Sequence, residues 1–150
     1  MISQIVRFGN LALVGLMAGI LLSIWLGNSP KLLPYPAYTV MHRGLVASYN
    51  VLMPMLGLLT IVLTLLSAYL QKDNKPVMIV LIIAGVLLIV AGLITRLGNQ
   101  PLNDLVMSWD LENSDTSWMT LRDKWWSLHL ARMLTTGLSF LLVAATNIWR

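Results

Sequence analysis

The sequence contains no cysteine, so it forms neither a disulfide framework nor a thiolate metal site, and it has no cysteine nucleophile. Charged side chains are also scarce, because Asp, Glu, Lys and Arg make up 11% of the 150 residues while 57% are hydrophobic. The mean hydropathy of +0.77 lies outside the range of soluble domains. These shortages indicate a chain that is surrounded by lipid.

The uncharged residues are grouped in long continuous segments. Four runs carry no charged residue, and each is long enough, or nearly so, to cross a hydrocarbon core about 30 Å thick. They are Phe8–Pro30, Gly44–Gln71, Pro76–Thr95 and Met133–Trp149. No small-x-small cleavage site follows the first run, so we expect a retained helix rather than a signal peptide.

These runs predict an all-α integral membrane four-helix bundle of up-down-up-down topology, as a single domain over residues 1–150. The helices are expected at about 8–27, 40–70, 76–97 and 117–148. Pro54 lies inside the second helix and removes the amide that would bond the carbonyl of Asn50, so a kink or a freed carbonyl at Asn50 is expected.

The third linker, Gly98–Lys124, is too long to be a mere connection in so small a bundle. Pro101 suits the start of a short helix that runs to Trp109. Several tryptophans would then lie at the level of the lipid headgroups, where their amphipathic rings are favoured. We therefore expect a capping loop and short helix between the third and fourth crossings, over one end of the bundle.

An even number of crossings places both termini and the second linker on one side of the membrane. Basic residues are dense there: Arg7, Lys72, Lys75 and Arg150. The positive-inside rule therefore predicts a plasma-membrane protein with cytoplasmic termini and the other end extracytoplasmic.

The lipid bilayer is the partner that this composition predicts. The net charge of +4 does not indicate nucleic acid, because basic residues flank membrane helices in any case. Gly15 and Gly19, four residues apart, allow another helix to approach closely, either within one chain or in a homo-oligomer.

Conspicuous polar residues collect at the end opposite the termini. One helical face of residues 122–136 holds Arg122, Trp126, His129, Arg132 and Thr136, and the end of the third helix holds Arg96, Asn99 or Gln100, and Asn103. An unpaired arginine in hydrocarbon costs about 3 kcal/mol or more, so Arg132 is expected to face the bundle interior. The four runs hold no carboxylate, so proton relay or cation transport lacks its usual residues.

The sequence alone is compatible with three roles for His129. It is a general base with a pKa near neutrality, a ligand of haem or metal, or a histidine satisfied at the interface. His42 lies at the same end, and two histidines on opposing helices can bridge a haem iron. No His-x-x-His or His-Glu-x-x-His spacing supports a metal site, so the choice stays open.

Two stretches of the C-terminal half, RLGNQPLNDLVMSWD and SWMTLRDKWWSLHLAR, resemble the anthrone oxygenase family. So do LMAGILLSIWLG in the first helix and YNVLMPMLGLLT in the second. This is a family of small four-helix membrane proteins, and many bacterial members carry only a domain-of-unknown-function label. The motif positions are Asn99, Pro101, Asn103, Trp118, Leu121, Arg122, Trp126, His129 and Arg132.

For fungal members the resemblance implies oxidation of a polycyclic phenolic anthrone to an anthraquinone with dioxygen, without an obvious organic cofactor. Loss of a proton from the anthrone methylene gives an electron-rich anion, which requires a base, donors for the oxyanion and flat apolar surfaces. The hypothesis makes His129 the base, with Arg132 and Arg122 as catalytic cations. Substrate binding is assigned to Asn50, Asn99, Asn103, Trp109 and Trp126.

Two other functions are compatible with the sequence. The first is a haem- or metal-binding membrane redox protein that uses His129, with or without His42. The second is a non-enzymatic accessory or lipid-binding bundle, whose arginines and tryptophans only anchor it at the interface. The leading hypothesis remains an oxidoreductase acting on an apolar aromatic small molecule.

Overall fold

The computed structural model describes residues 1–27, 29–114 and 116–148. Trp149 and Arg150, used above for the last crossing and for orientation, lie outside this part. The helices are α1 Ile2–Gly27, α2 Tyr35–Tyr49, α3 Leu52–Leu70, α4 Lys75–Ile94, α5 Gln100–Ser108 and α6 Trp118–Ile148, with a 3₁₀ turn at Pro30–Leu32 and a π-helical turn at Thr95–Asn99. No strand occurs in the described residues, and the predicted all-α class is confirmed.

Four helical stretches are long and apolar enough to cross a membrane, which confirms the predicted bundle. They are Ile2–Leu32, Leu52–Leu70, Lys75–Ser108 and Trp118–Ile148. Large apolar side chains along them face outward, as Leu58 and Leu141 do with 66% and 62% of their surface exposed. Such a surface is consistent with contact with the lipid bilayer.

The bundle core lies between the crossings in the half that holds the termini. Val14, Leu81, Ala84 and Val143 are completely buried and form one cluster. A Cβ on Gly85 would lie 2.9 Å from a methyl carbon of Leu65, so α3 and α4 approach closely there. Small residues at such contacts are typical of membrane helix packing.

The predicted helix over 40–70 is wrong in its continuity. α2 ends at Tyr49, and α3 begins at Leu52 after a turn at Asn50 and Val51. Pro54 therefore sits in the first turn of α3, where its missing amide costs no helical hydrogen bond. The result is a break rather than a kink, and only α3 crosses the membrane.

α4 continues into α5 through the π-helical turn instead of ending near Leu97. The amide of Gln100 donates to the carbonyl of Thr95, five residues back, so the helix is one residue wider per turn here. Pro101 follows directly, and its ring would collide with the carbonyl of Leu97 in a regular α-helix. The wider turn accommodates that proline.

The predicted cap is present, and α2 is part of it. The Arg43 guanidinium of α2 donates to the carbonyls of Val106, Met107 and Trp109 at the end of α5. The ring of Tyr35 packs against Trp109 and Trp118 at centroid distances of 5.7 and 5.5 Å. The first and third linkers therefore meet at the same end of the bundle.

Candidate functional site beneath the cap

A cavity of about 550 Å³ lies between α1, α3, α4 and α6 in the half of the bundle nearest the cap. Its deeper wall is apolar and includes Met17, Ile61 and Leu88. Its polar lining is Asn50, Thr95, Arg96, Gln100, Arg132 and Thr136. The cavity thus offers an apolar space with polar groups concentrated at one end, which is the usual form of a small-molecule site.

Arg132 supplies a positive charge to this cavity. Its Nη2 and Nε lie 3.1 and 3.4 Å from Nδ1 of His129, one helical turn earlier on α6. Among the described residues an ion pair forms between Arg122 and Asp123, and no carboxylate forms an ion pair with Arg132. The guanidinium is therefore oriented by a neutral partner and its charge is left available.

His129 lies behind Arg132 and is completely buried. Its Nε2 is 3.2 Å from the carbonyl of Leu21 on α1. Because Nε2 faces a carbonyl and Nδ1 accepts from a guanidinium, the proton of the neutral ring is on Nε2. Trp125 and Trp126 stack against the imidazole, each at a centroid distance of 5.4 Å, and hold it in place.

A smaller cavity of about 50 Å³ extends from Arg132 toward the cap. Asn103 lines it, and its Oδ1 accepts from His42 Nε2 at 3.1 Å and from Trp125 Nε1 at 2.8 Å. Tyr38 donates its hydroxyl to His42 Nδ1 at 3.1 Å. The hydrogen-bond network Tyr38–His42–Asn103–Trp125 therefore ends at the cavity.

Burial shifts the pKa values of two members of this network, His42 and Tyr38. Burial lowers the pKa of His42 to about 4, and the hydrogen bond to Asn103 opposes this only in part. Burial also raises the pKa of the Tyr38 phenol. Both groups are neutral near pH 7, which agrees with the hydrogen-bond directions.

A family model described as anthrone oxygenase matches residues 43–142, two thirds of the chain. The chain belongs to the anthrone oxygenase family. The matched residues run from the cap helix α2 into the C-terminal quarter of α6, and they include most of the cavity lining. Neither the curated proteins nor the solved structures contain a match.

Three of the residues proposed from the sequence lie on the cavity walls of this anthrone oxygenase family member. They are Arg132 and Asn50, which border both cavities, and Asn103, which borders the smaller one. His129 contacts the site only through Arg132.

The other four proposed residues lie elsewhere. Asn99 is buried and donates Nδ2 to the carbonyl of Trp125 at 3.1 Å. Arg122 pairs with Asp123 at 2.9 Å and lies over the ring of Trp118. Trp109 packs on the cap tyrosines, and Trp126 packs on His129.

The two histidines do not face a common space. The Trp125 ring lies between them, with its centroid 4.7 Å from His42 and 5.4 Å from His129. All four ring nitrogens have hydrogen-bond partners, and the described residues contain no group of three or more His, Asp or Glu placed to hold a metal ion. This arrangement does not fit a haem bridged by His42 and His129.

Sequence reasoning assigned no role to several residues of the cavity wall. Arg96, Gln100 and Thr136 belong to the polar stripes, and their helical phase relative to Arg132 was the available signal. Met17 and Met53 have no such signal, because a methionine in a membrane helix is ordinary packing.

Proposed function

We propose that this protein oxidises an apolar polycyclic phenolic substrate of the anthrone type with dioxygen in the cavity beneath the cap. The observation that carries the proposal is Arg132, which faces an otherwise largely apolar cavity and has no carboxylate partner among the described residues. Membership of the anthrone oxygenase family supports the reaction class.

The cavity suits such a substrate in size and access. Its volume of about 550 Å³ lies within the range of roughly 300–1,000 Å³ that small-molecule pockets occupy. Pro54, Leu58 and Gly92 border it and are exposed on the outer surface of α3 and α4. A flat apolar molecule dissolved in the bilayer therefore enters sideways, between these two helices.

The chemistry needs little beyond electrostatics. The methylene between two aryl rings loses a proton, either to water while His129 is bonded to Arg132 or to Nδ1 of His129 once that contact is released. The negative charge moves to the carbonyl oxygen, where Arg132 stabilises it. The electron-rich carbon transfers electrons to dioxygen and forms a carbon–oxygen bond, which gives a hydroperoxide after proton uptake. Loss of water then leaves a second carbonyl, so one oxygen atom enters the quinone and the other leaves as water.

His129 has two roles compatible with its contacts. While Nδ1 accepts from Arg132, the imidazole orients the guanidinium and cannot take a proton from the substrate. If Arg132 moves to the substrate oxyanion, Nδ1 becomes free to act as the base. The contacts as they stand support the first role, and the variants His129→Asn and His129→Ala separate the two.

The decisive experiment uses purified protein in lipid vesicles with a hydroxylated anthrone. Oxygen uptake and quinone formation are measured together, after subtraction of the rate in protein-free vesicles. We expect equal amounts of oxygen consumed and quinone formed. Arg132→Leu should lower turnover at least about 100-fold, the cost of losing an oxyanion donor.

Arg7→Gln is the matched control, because Arg7 lies at the opposite end and donates to the carbonyl of Thr146. It should keep turnover within about twofold, as expected for a change remote from the site. A folded Arg132→Leu protein with wild-type turnover would refute the proposal.

The remaining parts of the proposal concern location. Arg7, Lys72 and Lys75 support the proposal that the termini are cytoplasmic, with the cap on the extracytoplasmic side of a plasma membrane. A homo-oligomer also stays a prediction: Gly15 already packs against Phe140 within one chain, while Gly19 has open space around it. Accessibility of single cysteines introduced at Lys72 and in the cap tests the orientation.

A further inference from the structure

Thr136 carries a buried hydroxyl that no described residue satisfies. Its side chain is completely buried, lines the cavity, and lies one helical turn deeper than Arg132. A threonine in a helix usually donates to the carbonyl four residues back. Here that carbonyl, of Arg132, accepts from Thr135 at 3.0 Å instead.

Among the threonines of the described helices this is exceptional. All other buried or half-buried threonines of the described helices donate to a backbone carbonyl: Thr39, Thr60, Thr64, Thr95, Thr135 and Thr146. A buried hydroxyl without a partner is costly, so the partner is expected to come from what occupies the cavity. The neighbouring deep lining, including Met17 and Leu88, offers none.

The geometry points to a second oxygen substituent on the substrate, and this inference rests on the proposed function. Arg132 holds the carbonyl oxygen near the cap, and Thr136 hydrogen-bonds a phenolic hydroxyl on the part of the ring system that reaches deeper. The two side chains start about 6 Å apart along α6. The preferred substrates are therefore polycyclic ketones with a hydroxyl remote from the carbonyl that Arg132 holds.

The test compares the binding of two quinones that differ in one group, unsubstituted anthraquinone and its 2-hydroxy derivative. Dissociation constants are measured in vesicles by quenching of the intrinsic tryptophan fluorescence. The wild type should bind the hydroxylated quinone about fivefold more tightly, as one hydrogen bond allows. Thr136→Val should bind both equally, and Thr136→Ser should restore the preference.

Thr146→Val is the matched control, because it removes a buried hydroxyl of the same helix that is already bonded to the carbonyl of Val143. It should leave the preference unchanged. A Thr136→Val protein that keeps the fivefold preference would overturn the inference, and so would a wild type with no preference.

Oxygen uptake separates this inference from the proposed function. If the protein oxidises an anthrone but shows no binding preference that depends on Thr136, the proposed oxidation holds and the role of Thr136 is refuted. A preference that depends on Thr136, in a protein that oxidises no anthrone, would leave the binding site standing and refute the oxidation. If Thr136→Val does not fold, the same comparison is made with Thr136→Ser and Thr136→Ala.

Discussion

Arg132 approaches His129 with two of its nitrogens, both directed at the same imidazole atom, 3.1 and 3.4 Å away. The histidine fixes the arginine without neutralising it, because a neutral ring accepts hydrogen bonds but carries no charge. A carboxylate in the same place would hold the guanidinium as firmly and would cancel its field in the cavity. The choice of partner therefore favours a site that receives negative charge.

Replacing His129 separates an orienting role from a base role. In His129→Asn the side-chain oxygen lies close to where Nδ1 was and still accepts from Arg132, but the amide does not take a proton. If His129 orients Arg132, turnover in His129→Asn should stay within about tenfold of wild type, while His129→Ala should lose about 100-fold. Oxygen uptake in vesicles measures both.

The dependence of turnover on pH also distinguishes the orienting role of His129 from the base role. A base role requires both variants to lose 100-fold or more and to lose the limb of the profile that belongs to the base. An orienting role leaves the profile of His129→Asn parallel to that of the wild type. A His129→Asn protein that is folded and inactive would contradict the orienting role.

Arg122→Gln should have a small effect on turnover. Arg122 pairs with the half-exposed Asp123 and lies 5.0 Å from the Trp118 ring centre, and it does not line either cavity. We expect turnover within about threefold of wild type and a modest loss of stability, since partly exposed ion pairs contribute at most about 1 kcal/mol. A loss as large as that of Arg132→Leu would show that Arg122 contacts the substrate.

The four crossings could be predicted because length and missing charge alone decide whether a helix spans a bilayer. The break before Pro54 could not. It depends on contacts distant in sequence, such as His42 with Asn103 and Arg43 with the carbonyls ending α5. These contacts hold α2 in the cap, so the chain turns at Asn50 instead of bending gently.

The helical spacing predicted which residues share the polar face of α6, but it did not predict which of their side chains reach the cavity. His129 and Arg132 share that face, yet one lies behind the other, and only Arg132 reaches the cavity. At the end of α4 the π-helical turn adds a residue and shifts the phase. Gln100 consequently lines the cavity while Asn99 turns to Trp125, which a regular helix would not have indicated.

Gly98→Ala tests whether the π-helical turn is held by packing against α6. A Cβ there would lie 2.9 and 3.1 Å from the two methyl carbons of Leu128, so the leucine or the helix has to shift. We expect a destabilisation of about 1–2 kcal/mol, typical of overpacking, measured as a lower midpoint of thermal unfolding in detergent.

Gly44→Ala is the control for this change, since no atom outside its own helix lies within 4 Å of a Cβ at that position of α2. It should stabilise the protein by about 0.5–1 kcal/mol through helix propensity alone. Equal shifts of the unfolding midpoint in the two variants would contradict a packing role for Gly98.

His42 should make the protein less stable in acid. Its pKa is lowered from 6.5 to about 4 in the folded protein, so the unfolded chain binds the proton more readily. Stability from this group is complete above about pH 6.5 and is lost as the pH falls toward 4, by about 3 kcal/mol in total. His42→Gln keeps a donor for Asn103 but does not titrate. Between pH 7 and 4 the free energy of unfolding, measured in detergent, should therefore fall by about 3 kcal/mol more for the wild type than for the variant. If the free energies of both proteins change in parallel with pH, His42 is protonated in the folded protein without cost.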